Sequence, residues 1–352
     1  MKVTLLIPCL NESETIDSAV VEAKKYGGKY FKKDFEVLVS DNGSTDGTVD
    51  KLQRIKNIRI INTPIRGYGA ALHYGILSAH GTYVIFADAD LSYNFKDIEK
   101  FIKYLNSDYD LILGSRIKGK IDSRAMPYLN RYIGTPILTF LIQIIYGINT
   151  SDCNSGFRAV KRSFYESLNM KNSGMEWASE LLIKSSLMKG KYDEVPIHFR
   201  KDQRHKQTHL KRWEDGWRHL KVIILLKPLI LLVASFIVVI IGIVFLPISL
   251  FTTLAMFLMA EFLVLSFLIA VKLEAVINSK TNRISFFLDK MPFVLGGIIM
   301  TFVVMILLFT ISDKHLFTKY ILLFQVSIYN LWVFFLETIK THLVNPLPNK
   351  IK

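Results

Sequence analysis

The chain has 352 residues, 44 Lys and Arg against 30 Asp and Glu, a formal net charge of +14 and 51% hydrophobic residues, with mean hydropathy +0.30. Cys9 and Cys153 alone argue against a disulfide framework. No helix-turn-helix, zinc or ribonucleoprotein pattern accompanies the basic excess, which argues against nucleic acid as partner.

In chain order, short β-rich runs alternate with helical patterns. Val3–Ile7 reads as a strand and Glu12–Lys25 as a helix, Phe35–Val39 as a strand and Thr45–Ile55 as a helix. Ile58–Ile61 is a strand before a helix over Ala70–Ala79, and Tyr83–Phe86 a strand before a helix over Phe95–Leu105 and a strand at Leu111–Leu113. The alternation predicts an α/β fold with a mostly parallel, Rossmann-like sheet. Ligands of such sheets sit beyond the carboxyl ends of the strands. Four of those ends carry chemistry. The first runs into "PCLNE" with Pro8, Asn11 and Glu12, and the second into "SDNGSTDGT" with Asp41 at the strand end. "RGYGAAL" follows the third, where Arg66 and Gly67 precede a helix N-terminus, a fair anion site. Any one of these reads as turn and cap chemistry; four converging on one crevice read as a site.

The fourth end, "VIFADADLSYN", places Asp88 and Asp90 one residue apart at the close of a buried strand. Like charges there are tolerated when a hard divalent cation lies between them. Mg²⁺ and Mn²⁺ take oxygen ligands and fill their remaining positions with phosphate oxygens and water. The pattern therefore predicts a metal-bound diphosphate.

Beyond residue 220 the composition changes. Pro228–Val271 holds Glu261 as its one charge, and Met291–Ser312 and Tyr320–Leu336 hold none. A membrane span needs roughly 20 apolar residues, which predicts four transmembrane helices near 228–246, 249–271, 291–312 and 317–337. Lys201–Lys227 carries eight basic residues against three acidic, and the second connection and the tail are also basic. This bias places the N-terminal domain and the C-terminus in the cytoplasm. The apolar run of "MKVTLLIPCLNE" is too short for a signal peptide and Pro8 interrupts it. In "HLKRWEDGWRHLKVIILL", Trp213 and Trp217 are four apart, with Leu210, Leu220 and Ile224 nearby, the pattern of an interfacial helix at headgroup level. The expected division is a catalytic domain over 1–205, the interfacial region over 206–227, a transmembrane domain over 228–340 and a cytoplasmic tail over 341–352.

Taken together, "IPCLNE", "SDNGSTDGT", "RGYGAA", "DADLS", "GSR" and "DCNSGFRAV" resemble the family 2 glycosyltransferases of GT-A fold. With apolar segments following, the chain resembles their polyprenyl-phosphate group, the dolichol-phosphate mannose and glucose synthases. "AMPYLNRYIGTP", "GMEWASE" and "RWEDGWRHL" are similar to its bacterial and archaeal branch. The resemblance covers roughly residues 1–222. It implies that Pro8, Asn11 and Glu12 line the nucleotide pocket, that Asp41 contacts the base, and that Asp88 and Asp90 hold the metal and the donor diphosphate. It implies that Arg116 and Arg131 bind the acceptor lipid phosphate, with Arg204 in the basic loop before the membrane, and that Asp152 lies near the transferred sugar. Relatives often have Gln where this chain has Ser92, so a hydroxyl stands at the third metal position.

The function expected is transfer of one sugar from a nucleotide-sugar to polyprenyl or dolichyl phosphate with inversion. UDP-glucose is favoured as donor, ahead of GDP-mannose and UDP-N-acetylglucosamine. The alternative is a processive polysaccharide synthase, against which "QTHLKRW" misses the spacing of the Gln-x-x-Arg-Trp element. Oligomeric state is not legible, and a homo-oligomer stays open.

Overall fold

The computed structural model describes residues 2–204 and 212–227, with Val233, Ile237 and Ile240. Apart from those three residues, the expected transmembrane segments and the C-terminal tail lie outside the described residues. Among the described residues no helix is long and apolar enough to cross a membrane.

A seven-stranded sheet organises the domain. Its strands are β1 (Val3–Cys9), β2 (Phe35–Asp41), β3 (Arg59–Asn62), β4 (Tyr83–Phe86), β5 (Leu111–Ile121), β6 (Arg158–Lys161) and β7 (Tyr192–Phe199), in the order β3-β2-β1-β4-β6-β5-β7. β1 pairs in parallel with β2 and β4, β2 with β3, and β5 with β7, while β6 is antiparallel to both β4 and β5. The fold is thus the expected GT-A-like α/β fold, with one reversed strand inside the sheet.

The strands are apolar on both faces, as a sheet covered on both sides requires. On one face Val3, Leu5, Ile7 and Val39 pack with Ile16, Ala19, Val20 and Ala23 of α1 (Ile16–Phe31), Leu52 of α2 (Thr48–Gln53) and Phe101 and Leu105 of α4 (Ile98–Asn106). On the other, Leu6, Leu38, Val84 and Phe86 meet α3 (Tyr68–Ser78), α5 (Thr135–Tyr146), α6 (Arg162–Ser167), α7 (Trp177–Leu187) and Ile223 of α8 (Arg212–Leu225).

Two differences from the sequence reading bear on the site. α1 begins at Ile16, not Glu12, because Asn11 is left-handed (φ 58°) and residues 12–15 form a turn. The turn's N–H groups are spent on the β2–α2 loop instead: Asn11 N donates to Ser44 Oγ (2.8 Å), Glu12 N to Thr48 Oγ1 (2.9 Å) and Ser13 N to Asp46 Oδ2 (3.1 Å). β5 runs on to Ile121, and its register against β7 breaks between Ser115 and Lys120. Such a bulge re-aims side chains, and Arg116 lies inside it.

Trp213 and Trp217 share the expected helix, α8, but not one environment. Trp213 is exposed and Trp217 half-buried, while Asp215, His219, Val222 and Ile223 face inward. His219 Nδ1 and Ser179 Oγ of α7 lie 2.8 Å apart, so a polar contact sets this rotation.

Candidate active site

The carboxyl ends of β1, β2 and β4 and the start of α3 form one laced surface. Asp41 is buried, and its carboxylate accepts from Gly43 N (2.9 Å), Ser44 N (3.0 Å) and Ser44 Oγ (2.5 Å), with the Cys9 thiol at 3.4 Å. Asn11 Oδ1 accepts from Thr45 N at 2.8 Å, tying the first strand end to the second. Pro8 lies in β1 opposite Ser40. Arg66 Nη1 donates to Asn42 O at 2.7 Å, and its guanidinium lies across Gly43. Gly67 N donates to Asn42 Oδ1 at 2.7 Å. With φ 137° and Ser173 O placed 2.2 Å from where a Cβ would be, only glycine fits at 67.

Tyr68, the first residue of α3, reaches across to donate to Asp88 Oδ1 at 2.8 Å. Asp88 also faces Gly156, where an added Cβ would lie 2.8 Å from Oδ2. Burial first, then the nearby Asp90 carboxylate, push the Asp88 carboxyl up to about 7. Asp90 Oδ1 accepts from Ser92 N (2.9 Å) and Ser92 Oγ (2.6 Å), so Ser92 turns its hydroxyl to the aspartate.

Arg204 is drawn into the same cluster. Its guanidinium donates to Glu12 Oε1 (2.8 Å), Asp90 Oδ2 (3.1 Å) and Asp202 Oδ2 (2.6 Å). Glu12, 6% exposed, is nevertheless raised to about 7 by burial, which outweighs Arg204. Arg204 does not line the cavity that Arg116 and Arg131 share.

The donor chemistry at Asp88 and Asp90 fits a hard divalent cation, since the side chains on offer are oxygen ligands. No cluster of three or more His, Cys, Asp or Glu able to hold a metal exists among the described residues. Two carboxylates without a closed cage suit a cation that completes its shell with diphosphate and water.

The second half of the site centres on Asp152, fully buried after α5. Arg116 grips it with Nε to Oδ2 (2.7 Å), Nη2 to Oδ1 (2.7 Å) and its backbone N to Oδ2 (3.1 Å). Burial alone would raise the Asp152 carboxyl; the Arg116 charge and hydrogen bonds reverse the sign and hold it below the usual range. Arg116 and Arg131 line one cavity of about 440 Å³ together with Thr139, Gln143 and Ser151. Arg131 stacks over Tyr132, 5.3 Å from the ring centroid. Tyr93 joins the two halves: its hydroxyl accepts from Gly156 N at 2.7 Å, and its phenol feels the charges of Arg116, Asp88 and Asp152.

Beside the cavity, α5 buries Leu138, Ile142 and Ile145 against the sheet yet exposes Ile137, Phe140 and Ile144, continuing Tyr128, Tyr132 and Ile133 of the preceding turns. α5 thus carries apolar side chains on its exposed face as well as on its buried one. Its C-terminal end is pinned to α8: Tyr146 Oη donates to Ile223 O (2.5 Å) and Lys227 Nζ to Ile145 O (2.6 Å).

Comparison with known proteins gives the chain a family. The family model described as glycosyl transferase family 2 matches residues 4–168. A dolichyl-phosphate hexose transferase of Haloferax volcanii is 30% identical over 181 residues, 51% of this chain and 75% of that protein. The chain belongs to glycosyl transferase family 2. Another family relative in sequence, the low-salt glycan biosynthesis hexosyltransferase Agl6 of the same organism, is 30% identical over 233 residues, 64% of this chain. The chain spans about half of that relative, 54% of its length. In structure, glucosyl-3-phosphoglycerate synthase from Mycobacterium tuberculosis, solved with Mn²⁺, UDP and glucosyl-3-phosphoglycerate, superposes with TM-score 0.50 at 18% identity, over 63% of this chain and 78% of that one. That likeness concerns the family 2 fold.

Sequence reasoning missed Tyr68, Gly156 and the Glu12–Arg204 pair. Tyr68 stands between the two glycines of "RGYG", and that position was its one signal. The others depend on contacts 68 and 192 residues apart along the chain.

Proposed function

We propose that this protein transfers a single hexose from a nucleotide-sugar, UDP-glucose favoured, to a polyprenyl or dolichyl phosphate at the cytoplasmic face of a membrane. One observation carries the reading: the cavity lined by Arg116 and Arg131 adjoins the exposed apolar side of α5. Two guanidinium groups suit a phosphate, and an apolar surface next to them suits a phosphate that is the head of a lipid. α5 is pinned to α8 where the long apolar run of sequence begins, which supports a membrane on that side. Four transmembrane helices over residues 228–340 complete the proposal.

The nucleophile is a lipid phosphate oxygen, already charged near neutral pH, so no base is required to activate it. Asp152 agrees with this: paired with Arg116 and held ionised, it is a poor proton acceptor. Its work is to fix the Arg116 fork and orient substrates. Asp88 and Asp90 would hold Mg²⁺ or Mn²⁺, which offsets charge on the departing diphosphate when bound. The relative solved with Mn²⁺ and UDP supports that choice of cofactor. Displacement opposite the leaving group inverts the anomeric centre, so an α-linked donor gives a β-linked lipid.

The test is to incubate purified full-length protein with a panel of radiolabelled nucleotide-sugars and polyprenyl phosphate. A chloroform-soluble single-sugar product with a β-linkage by proton NMR is expected. An insoluble polymer would establish the processive synthase instead, and an α-linkage would sink the single displacement.

A further inference from the structure

The Arg116–Asp152 pair is held from behind by a residue on β7 that the mechanism leaves unused. Glu194 is 7% exposed and does not line the cavity. Its carboxylate takes four donors: Thr150 Oγ1 and Ser151 N (2.7 Å) on Oε1, and Ser151 Oγ (2.9 Å) and Lys118 Nζ (2.9 Å) on Oε2. An ionised carboxylate has about four lone-pair sites, so all are used. Burial would raise this carboxyl, but the hydrogen bonds from Thr150, Lys118 and Ser151 outweigh it and keep it below the ordinary range.

The donors come from two places that matter. Thr150 and Ser151 immediately precede Asp152, and Lys118 lies in the β5 bulge two residues after Arg116. Ser151 Oγ also meets Ser115 Oγ at 2.6 Å, and Ser115 Oγ accepts from Lys118 N at 3.0 Å. One buried carboxylate therefore holds the backbone before Asp152 through Ser151 N and reaches the β5 bulge through the Lys118 side chain and the Ser151–Ser115 hydroxyl contact. Ladder pairing to β7 fixes neither side: residues 149–152 are a loop, and the β5–β7 register is interrupted between Ser115 and Lys120.

We infer that Glu194 is a positioning residue of the acceptor site, setting loop 149–152 against the β5 bulge so that Arg116 presents its guanidinium to the cavity. This rests on the reading that the cavity takes the acceptor phosphate, and the experiment separates the two. Farnesyl phosphate binding and binding of the nucleotide-sugar selected by the donor panel are measured on the full chain in detergent. Glu194→Ala frees loop 149–152 and the bulge from their common anchor, so it should weaken farnesyl phosphate about tenfold or more. Donor affinity should stay within about twofold, because the donor half is fastened by other contacts. Glu194→Gln keeps one acceptor oxygen for Thr150 and Ser151 and should lose less. Thr150→Val removes one donor and carries the test if Glu194→Ala does not fold; it should weaken farnesyl phosphate with donor binding unchanged. Arg131→Ala is the control. If Arg131→Ala weakens farnesyl phosphate while the Glu194 and Thr150 variants bind it normally, the inference is wrong and the cavity reading survives. An equal loss of both ligands in those variants would also overturn it, as a merely structural effect. If Arg131→Ala binds normally, the cavity reading falls and the inference with it.

Discussion

Replacing Arg116 by alanine tests the centre of the site and its fold together. Asp152 is fully buried, and two of its three bonds from Arg116, both at 2.7 Å, come from the side chain that the substitution deletes. What stays is the backbone N–H of residue 116 at 3.1 Å and Asn154 N at 3.4 Å, too little for a buried carboxylate. Removing one partner of a buried pair costs about 3–5 kcal/mol. At about 2–4 °C per kcal/mol for a domain of this size, melting should fall by roughly 6–20 °C. Asp152→Asn keeps an acceptor oxygen and leaves its charge on an arginine that borders a cavity, so its loss should be smaller. In a double-mutant cycle, Arg116→Ala with Asp152→Asn should melt above Arg116→Ala alone, with a coupling of about 2 kcal/mol. The assay is thermal melting of the full chain in detergent beside turnover. An Arg116→Ala protein that melts within a degree of wild type, or a coupling near zero, would refute the reasoning. A lost activity in Arg116→Ala thus mixes stability with acceptor binding, whereas Arg131→Ala does not, because no carboxylate pairs with Arg131 among the described residues.

Asp90→Asn should cut turnover at least about 100-fold with melting near wild type, since relief of repulsion from Asp88 offsets the lost charge pair with Arg204, which keeps Glu12 and Asp202; full activity in excess EDTA would remove the metal from the account. Gly156→Ala puts a methyl 2.8 Å from Asp88 Oδ2 and 3.0 Å from the Tyr68 hydroxyl. It should weaken Mn²⁺ binding in the presence of donor more than it lowers melting, as titration calorimetry would show. His219 is buried, and that burial, with Arg158 adding to it against Glu176, lowers its pKa from the usual 6.5 to about 4. The unfolded chain then binds the proton more readily, so this contribution is complete above pH 6.5 and is lost as pH falls toward 4, to a total of roughly 3 kcal/mol. Asp88 and Glu12, raised to about 7, act with the opposite sign, losing stability as pH rises. The carboxyl terms are common to both proteins, so between pH 6.5 and 5 the melting temperature of wild type should fall relative to that of His219→Gln, and identical slopes would count against it.

Where the chain is read strand by strand, sequence and structure agree closely: Tyr83–Phe86 carries the same bounds in both, and the strand ends at Asn11, Asp41, Arg66 and Asp88 gather as the parallel topology requires. The periodic signal fails after Leu113. β5 reads as three residues because its apolar run stops at "GSRIKGK", although the strand continues through the bulge beside β7. α5 is apolar on both faces, so no stripe separates its inside from its outside. The pairing of Arg116 with Asp152 joins residues 36 apart and leaves no local trace. Both residues were legible as chemistry, but not as each other's partner. The same holds for Arg204, whose basic loop reads as membrane-facing charge and whose side chain goes to Glu12 and Asp90.

The segment after β7 is stitched to the loop that follows the paired aspartates. Tyr93 bridges Phe199, Arg200 N donates to Ser92 O (2.7 Å), Arg200 Nη2 to Tyr93 O (2.6 Å), and Gln203 N to Asp90 O (3.2 Å). This makes residues 199–204 a rear wall of the donor half as well as the lead-in to α8. Anyone trimming the chain to a compact catalytic fragment would be tempted to stop where the last strand ends. A cut there would unbutton the aspartate loop from behind, and the fragment would fold its sheet yet hold Asp90 without its brace. A fragment that keeps these bonds has to run at least through Gln203, and one that also keeps Ile223 and His219 in place has to include α8.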